Sequence, residues 1–182
     1  LGRLEVKGRA PKTGYARSEF GDGWATVGGC DMRNIMLARG MTDVELATDN
    51  CVVLKGTLAD PYTGKLIEFV RGNKTSSLVQ IDHVVALSDA WQKGAQDLDA
   101  DTRLQLANDP LELLAVDGPA NQKKGDGDAA TWLPPNKAFR CQYVARQIAV
   151  KSKYRLWVTE AEKSAMKRVL SGCGEQVLPL LS

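Results

Sequence analysis

Imidazole chemistry has one place in this chain. His83 is the single histidine of the 182 residues, and it follows Asp82 directly in Gln80-Ile81-Asp82-His83-Val84-Val85-Ala86-Leu87. Neutral imidazole is the side chain best suited to take a proton near neutral pH. Further along, Asn121-Gln122-Lys123-Lys124-Gly125-Asp126 supplies an amide oxygen and two adjacent lysines. Together these residues offer a general base, two oxygen ligands for a hard divalent cation (Asp82 and Asn121) and ammonium groups beside them. Mg²⁺ asks for only one or two protein oxygens, because it keeps waters and substrate phosphate oxygens in its other positions. Such a set suits attack of water on a phosphate ester. On a strand Asp82 and His83 point to opposite faces, so another element must bring Asn121 back beside Asp82.

The elements that would position them are legible in outline. Residues 1–29 are rich in Gly, Lys and Arg and read as an extended arm packed on the domain. Asp31 caps a helix over Met32 to Arg39, with Gly40 at the C-cap. Cys51 to Leu58 and Leu66 to Val70 form a hairpin around the turn Asp60-Pro61-Tyr62-Thr63-Gly64. Ser77 to Val84 is a third strand, carrying Asp82 and His83. Helices follow over Ala86 to Gln96 and Asp101 to Ala107, then an apolar strand from Leu113 to Val116 and a helical turn from Ala120 to Lys124. Asn136 to Lys153 is amphipathic, and Thr159-Glu160-Ala161-Glu162 is a capping box opening a last helix that reaches Leu170.

Asp82-His83-Val84-Val85, Leu111-Glu112-Leu113-Leu114 and Asn121-Gln122-Lys123-Lys124-Gly125-Asp126 together resemble the HNH (ββα-metal) nucleases. The nearer resemblance is to secreted bacterial nucleases related to the C-terminal nuclease domain of GmrSD-type restriction enzymes. It extends through Gly8 to Tyr15, Asp60 to Gly64 and Ala130-Thr131-Trp132-Leu133-Pro134-Pro135, nearly the whole chain. The resemblance implies that His83 is the general base and that Asp82 and Asn121 hold one divalent metal, Mg²⁺ or Mn²⁺. To act as base His83 must be neutral and oriented, which a carbonyl or amide oxygen holding its Nδ1–H would do. Glu112 stands where the family pattern usually has an asparagine that braces the loop carrying the base; a glutamate there either braces the loop or adds a metal ligand. Gly40 stands where an acidic residue is expected after Ala38-Arg39. Lys123, Lys124 and, on the late helix, Arg146 are the candidate nucleic-acid contacts.

Composition adds compartment and partners. The chain is 43% hydrophobic and 25% charged with a net charge of +2, ordinary for a globular protein. Its basic residues nevertheless gather at Lys137, Arg140, Arg146, Lys151, Lys153 and Arg155, either a phosphate-binding face or a solvated helix face. Four widely spaced cysteines, with no C-x-x-C, fit two disulfides; the nearest-neighbour pairing Cys30–Cys51 and Cys141–Cys173 is favoured, with four buried thiols as the alternative. Disulfides point to an oxidising compartment, and a chain that begins at Leu1 reads as a mature or trimmed fragment whose export signal is gone. No apolar run approaches the roughly 20 residues that span a bilayer.

Other signals fail on inspection. Asp97-x-Asp99-x-Asp101 lacks the glycine and terminal glutamate of an EF-hand loop. Gly64-Lys65 lacks the earlier glycine and following Ser/Thr of a P-loop, and the sequon at Asn73 is a short chance match. The four tryptophans are too scattered to form a base-stacking row. The expectation is a single α+β nuclease domain over 1–182, with a ββα-metal core over residues 78–128, an N-terminal extended arm, a β-hairpin and flanking helices. It would be a secreted, metal-dependent endonuclease acting on DNA and also RNA with low sequence specificity, with no membrane association and no obligate protein partner. The alternatives are a catalytically weakened nucleic-acid-binding module and a nuclease domain of a larger toxin or restriction protein.

Overall fold

In a computed structural model describing residues 1–174 and 179, the chain opens with an extended arm that includes a 3₁₀ turn at Arg17–Phe20. The elements that follow are β1 (Thr26–Val27), β2 (Cys30–Asp31), α1 (Met32–Gly40), β3 (Met41–Leu46), β4 (Val53–Ala59) and β5 (Leu66–Val70). Then come β6 (Val79–His83), α2 (Leu87–Trp91), α3 (Ala100–Asn108), β7 (Leu113–Asp117), α4 (Gly118–Lys124), α5 (Arg140–Lys153) and α6 (Glu160–Leu170). Four helices start where a short polar side chain closes the first turn: Asp31, Asp99, Asp117 and Thr159 each accept the backbone N–H three residues on.

Three small antiparallel sheets form: β1–β2, β3–β4–β5 and β6–β7. The β6–β7 ribbon positions the site. Its register pairs Asp82 with Leu114 and His83 with Leu113. One ribbon face, with Val79, Ile81, Leu113 and Ala115, packs with α1 and the three-stranded sheet in one core. Val116 belongs to the other core, which includes Val84 and Val85 after β6 and the buried faces of α5 and α6. The alternation along β6 thus separates Asp82 from Ile81 and His83. α4 follows β7 with no intervening loop, giving the order β, β, α around the site, with α2 and α3 inserted between the strands.

Two glycines are set by close approach. A Cβ on Gly118 would lie 2.1 Å from the Ser77 carbonyl oxygen, and one on Gly40 would lie 2.9 Å from Ala115 Cβ. Gly40 is the last residue of α1, and the cap position falls on Met41, so the expectation of a C-cap glycine is corrected. The same contact shows why no acidic side chain stands there: α1 sits directly on β7.

The disulfides are Cys30–Cys51 and Cys141–Cys173, with Cα separations of 5.2 and 5.9 Å, the pairing favoured from the sequence. Other boundaries move. β3 is an additional strand; only Met41 of its six residues is buried, and Asp43 at φ 52 interrupts its register, so no period-2 pattern marks it. The helix expected over Ala86 to Gln96 stops at Trp91, and Gly94 at φ 117 turns the chain into a separate 3₁₀ turn. The helix expected from Asn136 splits, because the Asn136 side chain caps a 3₁₀ turn at Lys137–Phe139 before α5 starts at Arg140. Among the described residues no helix is long and apolar enough to cross a membrane.

Candidate active site

Asp82, His83 and Asn121 do come together. They line one open cleft of about 350 Å³ with Tyr15, Arg17, Ser88 and Asp126. β6 delivers the first two, and Asp117 caps α4 so that Asn121 faces β6, where its Nδ2 donates to Gln80 Oε1 at 2.9 Å. That bond fixes the amide and leaves Asn121 Oδ1 as the free oxygen.

His83 is buried, and its Nε2 lies 2.8 Å from the Ala107 carbonyl oxygen in the last turn of α3. A carbonyl only accepts, so Nε2 carries the hydrogen and Nδ1 keeps its lone pair. The sequence-based expectation that Nδ1–H is the anchored group is therefore reversed. Trp24 lies parallel to the imidazole, the two planes within 2° at a centroid separation of 5.8 Å. Burial first, then the nearby positive charge of Arg17, lowers the His83 pKa from 6.5 to about 3, against the opposing Ala107 hydrogen bond. The ring is neutral throughout the physiological range.

Asp82 is also buried, and both its oxygens are engaged. Oδ2 accepts from the Tyr62 hydroxyl, and Oδ1 accepts from Lys124 Nζ at 2.9 Å. Burial pushes the Asp82 carboxyl above the ordinary carboxylate range, although Lys124 and Tyr62 pull the other way. Tyr62 is fully buried in the Asp60–Gly64 turn. Asp60 ties that turn to the β7–α4 junction by accepting from Thr63 N at 2.7 Å and Asp117 N at 2.8 Å. Sequence reasoning saw only the turn; an aromatic inside a Pro-Gly turn was the signal available for Tyr62.

The phosphate contact expected of Lys124 gives way to an internal role. Its ammonium is enclosed and donates to Asp82 and to the His83 carbonyl oxygen at 2.7 Å. Lys123 is exposed. Arg146 is turned away from the cleft, its guanidinium donating to the carbonyls of Pro110, Leu111 and Leu113 at 2.6, 2.7 and 3.0 Å. It clamps the chain entering β7 and is not a free phosphate contact. Other members of the basic segment are likewise committed: Arg140 to the Pro134 carbonyl, Lys151 to Asp89 and Glu162, and Lys153 to Asp109. Lys137 and Arg155 are exposed and make no hydrogen bond or ion pair among the described residues, so the protein's own acceptors take up only part of that segment.

Glu112 is fully buried and does not line the cleft. Its Oε2 accepts from Val85 N at 3.1 Å and its carbonyl accepts from Val84 N at 2.9 Å, so it holds the turn directly after His83. Of the two readings of this residue, the geometry matches the brace. Burial pushes its carboxyl well above the ordinary range, even though the Val85 N–H and Lys124 oppose this.

Behind α2 lies a buried ion network. Lys93 Nζ sits 2.7, 2.8 and 2.6 Å from carboxylate oxygens of Asp89, Asp128 and Glu162. Arg9 of the arm bridges Asp89 and Asp128 at 2.8 Å each, and Lys151 of α5 closes the set. Three cations against three carboxylates hold the arm, α2, α5 and α6 together; breaking such a buried set on one side is costly.

The donor set can be tested against a metal. Among the described residues no group of three or more His, Cys, Asp or Glu is placed to hold an ion. The cleft instead presents two carboxylates, Asp82 with lone pairs remaining beyond its two hydrogen bonds and Asp126 paired with Lys12, and one amide oxygen with no donor on it. That fits a hard cation that keeps most of its water, as Mg²⁺ does.

A model of the GmrSD restriction endonucleases, C-terminal domain, matches residues 32–169. An uncharacterized secreted protein of Arthroderma benhamiae is 38% identical over 176 residues, covering 95% of this chain and 82% of that relative. No solved structure matches the chain. The two disulfides and the secreted relative agree with an extracellular location. With the match spanning well over half its length, the chain belongs to the family of the C-terminal domain of GmrSD restriction endonucleases.

Proposed function

We propose that the protein is a secreted, metal-dependent endonuclease of the HNH type, that β6, β7 and α4 are its ββα-metal core, and that residues 1–182 work as one nuclease domain. Its substrate is DNA, and also RNA, cleaved with little sequence preference. The observation that carries this reading is the state of His83: neutral, held through Nε2–H, with the Nδ1 lone pair uncommitted, in a cleft that Asp82 and Asn121 also line. That is the arrangement a general base for water requires.

In this reading His83 Nδ1 takes the proton of the attacking water, and Ala107 holds the ring while it does so. Asp82 and Asn121 would hold one Mg²⁺ or Mn²⁺, which supplies charge stabilisation at the phosphate and the leaving oxygen when bound. Tyr62 and Lys124 fix the Asp82 carboxylate, Gln80 orients the Asn121 amide, and Glu112 holds the turn that follows the base. A base whose pKa lies near 3 is weak, so rate must come from positioning and electrostatics more than from proton affinity. Low specificity is the outcome expected of contacts made to the sugar-phosphate backbone, which carry no sequence information.

Incubation of supercoiled plasmid with the protein and Mg²⁺, with and without chelator, tests the proposal. Nicking that the chelator abolishes is expected. Tight DNA binding with no chelator-sensitive nicking would favour a binding module in its place.

A further inference from the structure

Among the described residues the cleft has one unpaired cation, and it comes from outside the segment that matches the family model. Arg17 lies in the N-terminal arm, ahead of residues 32–169. Of the basic side chains singled out from the sequence, Lys124 is consumed by Asp82 and Arg146 by backbone carbonyls, while Lys123 does not line the cleft. Among the residues lining the cleft Arg17 is the only Lys or Arg, and among the described residues its guanidinium makes no hydrogen bond or ion pair.

The arm holds this arginine in place. The Arg17–Phe20 turn is anchored by Phe20, which is buried and packs edge-on against Tyr15 and Trp91 at 6.4 and 6.2 Å. Trp91 Nε1 donates to the Thr13 carbonyl at 3.2 Å, and Glu19 pairs with Arg103 of α3. On the other side Lys12 reaches Asp126, past the end of α4, at 2.9 Å. The arm therefore contributes Tyr15 and Arg17 to the lining of the cleft that Asp82 and Asn121 also line. Arg17 is exposed and without a partner on an anchored stretch of chain, so its guanidinium is available to an anion with paired acceptor oxygens.

We propose that Arg17 binds a non-bridging oxygen of the phosphodiester held in the cleft, so that the N-terminal arm completes the substrate site. This rests on the nuclease reading for its catalytic consequence, but the anion-binding part stands without it. No bond to Arg17 forms or breaks: the guanidinium donates hydrogen bonds, and they strengthen as charge grows on the phosphate.

The test has two arms. In the first, binding of a short fluorescein-labelled DNA duplex is followed by anisotropy against salt, in chelator and in a His83→Ala background. Arg17→Ala is expected to lower affinity and to reduce the slope of log K against log salt by about one. Arg17→Lys, which keeps the charge, should keep the slope, and Arg3→Ala serves as the charge-matched control. In the second, single-turnover plasmid nicking with the His83-containing protein should slow by about 10² to 10³-fold in Arg17→Ala, with an unchanged melting temperature. Unchanged slope and affinity in Arg17→Ala would overturn the proposal, even with slower nicking, because Arg17 would then act only through the field at His83. Absence of nicking by the unsubstituted protein would count against the nuclease reading alone, and the salt slope would still decide the role of Arg17.

Discussion

Glu112 gives the sharpest handle on how the fold holds the turn after His83. Its carboxyl is enclosed, accepts one hydrogen bond from Val85 N, and leaves Oε1 without a partner. Burial raises its pKa well above 4.5, so the folded protein holds the proton where the unfolded chain releases it. The sign follows: stability from this group is fully present below about pH 4.5 and falls as pH rises towards the folded pKa, by about 1.4 kcal/mol per pH unit within that window. Glu112→Gln keeps the acceptor for Val85 and removes the titration. It should match the unsubstituted protein near about pH 4 and exceed it increasingly above that. Glu112→Leu removes the acceptor and strands the Val85 N–H, which costs about 1–3 kcal/mol, so it should be the less stable of the two variants at every pH. Urea denaturation across this range, with equal m values confirming comparable unfolding, measures all three. A stability difference between Glu112→Gln and the unsubstituted protein that does not change with pH would refute the reasoning, as would one that changes in the opposite sense.

Replacing Arg146 by Ala should destabilise the protein by about 2–4 kcal/mol, because three carbonyls at the entry to β7 lose a charged donor. Its DNA affinity at temperatures well below unfolding should not change; a large loss of affinity in the folded variant would restore the phosphate contact expected from the sequence. The ion networks predict a plateau with two edges. Asp128 and Asp109 are held below the ordinary 3.8 by Lys93 and Lys153 against the opposing effect of burial, so their contribution is present above that value and is lost as pH falls through their folded pKa values. Lys93 is raised above 10.5 by Asp89 and Glu162, again against burial, so its contribution is present below that value and is lost as pH rises through the folded pKa. Thermal unfolding across pH should show both edges, and Asp128→Asn should blunt the acid one.

The candidate site residues were legible in the sequence and their supports were not. Asp82, His83 and Asn121 were legible because their types are rare or informative and their strand and helix settings follow from patterning. Lys124 was misread because adjacent lysines suggest a solvated surface. On α4, however, neighbouring residues point about 100° apart, and Lys124 falls one turn after the buried Ala120. Tyr62 lay hidden in a turn whose polar signature explains the backbone and says nothing of where the ring goes. Arg17 had no signal at all, since its importance lies in lacking a partner, which only the folded arm reveals. β3 was invisible because a largely exposed, bulged edge strand has no hydrophobic alternation to display. Glu112 was recognised as a departure, but only its burial separates a brace from a ligand.

The central claim is that His83 Nδ1 is the base. Single-turnover nicking of supercoiled plasmid by the unsubstituted protein and by His83→Ala, at matched Mg²⁺ and with folding verified by melting temperature, tests it most directly. The account predicts that the substitution lowers the rate at least about 10²-fold, with Mg²⁺ affinity by calorimetry nearly unchanged, since Asp82 and Asn121 remain. Nicking by folded His83→Ala at the unsubstituted rate would contradict it, because the chain has no second histidine to take the role.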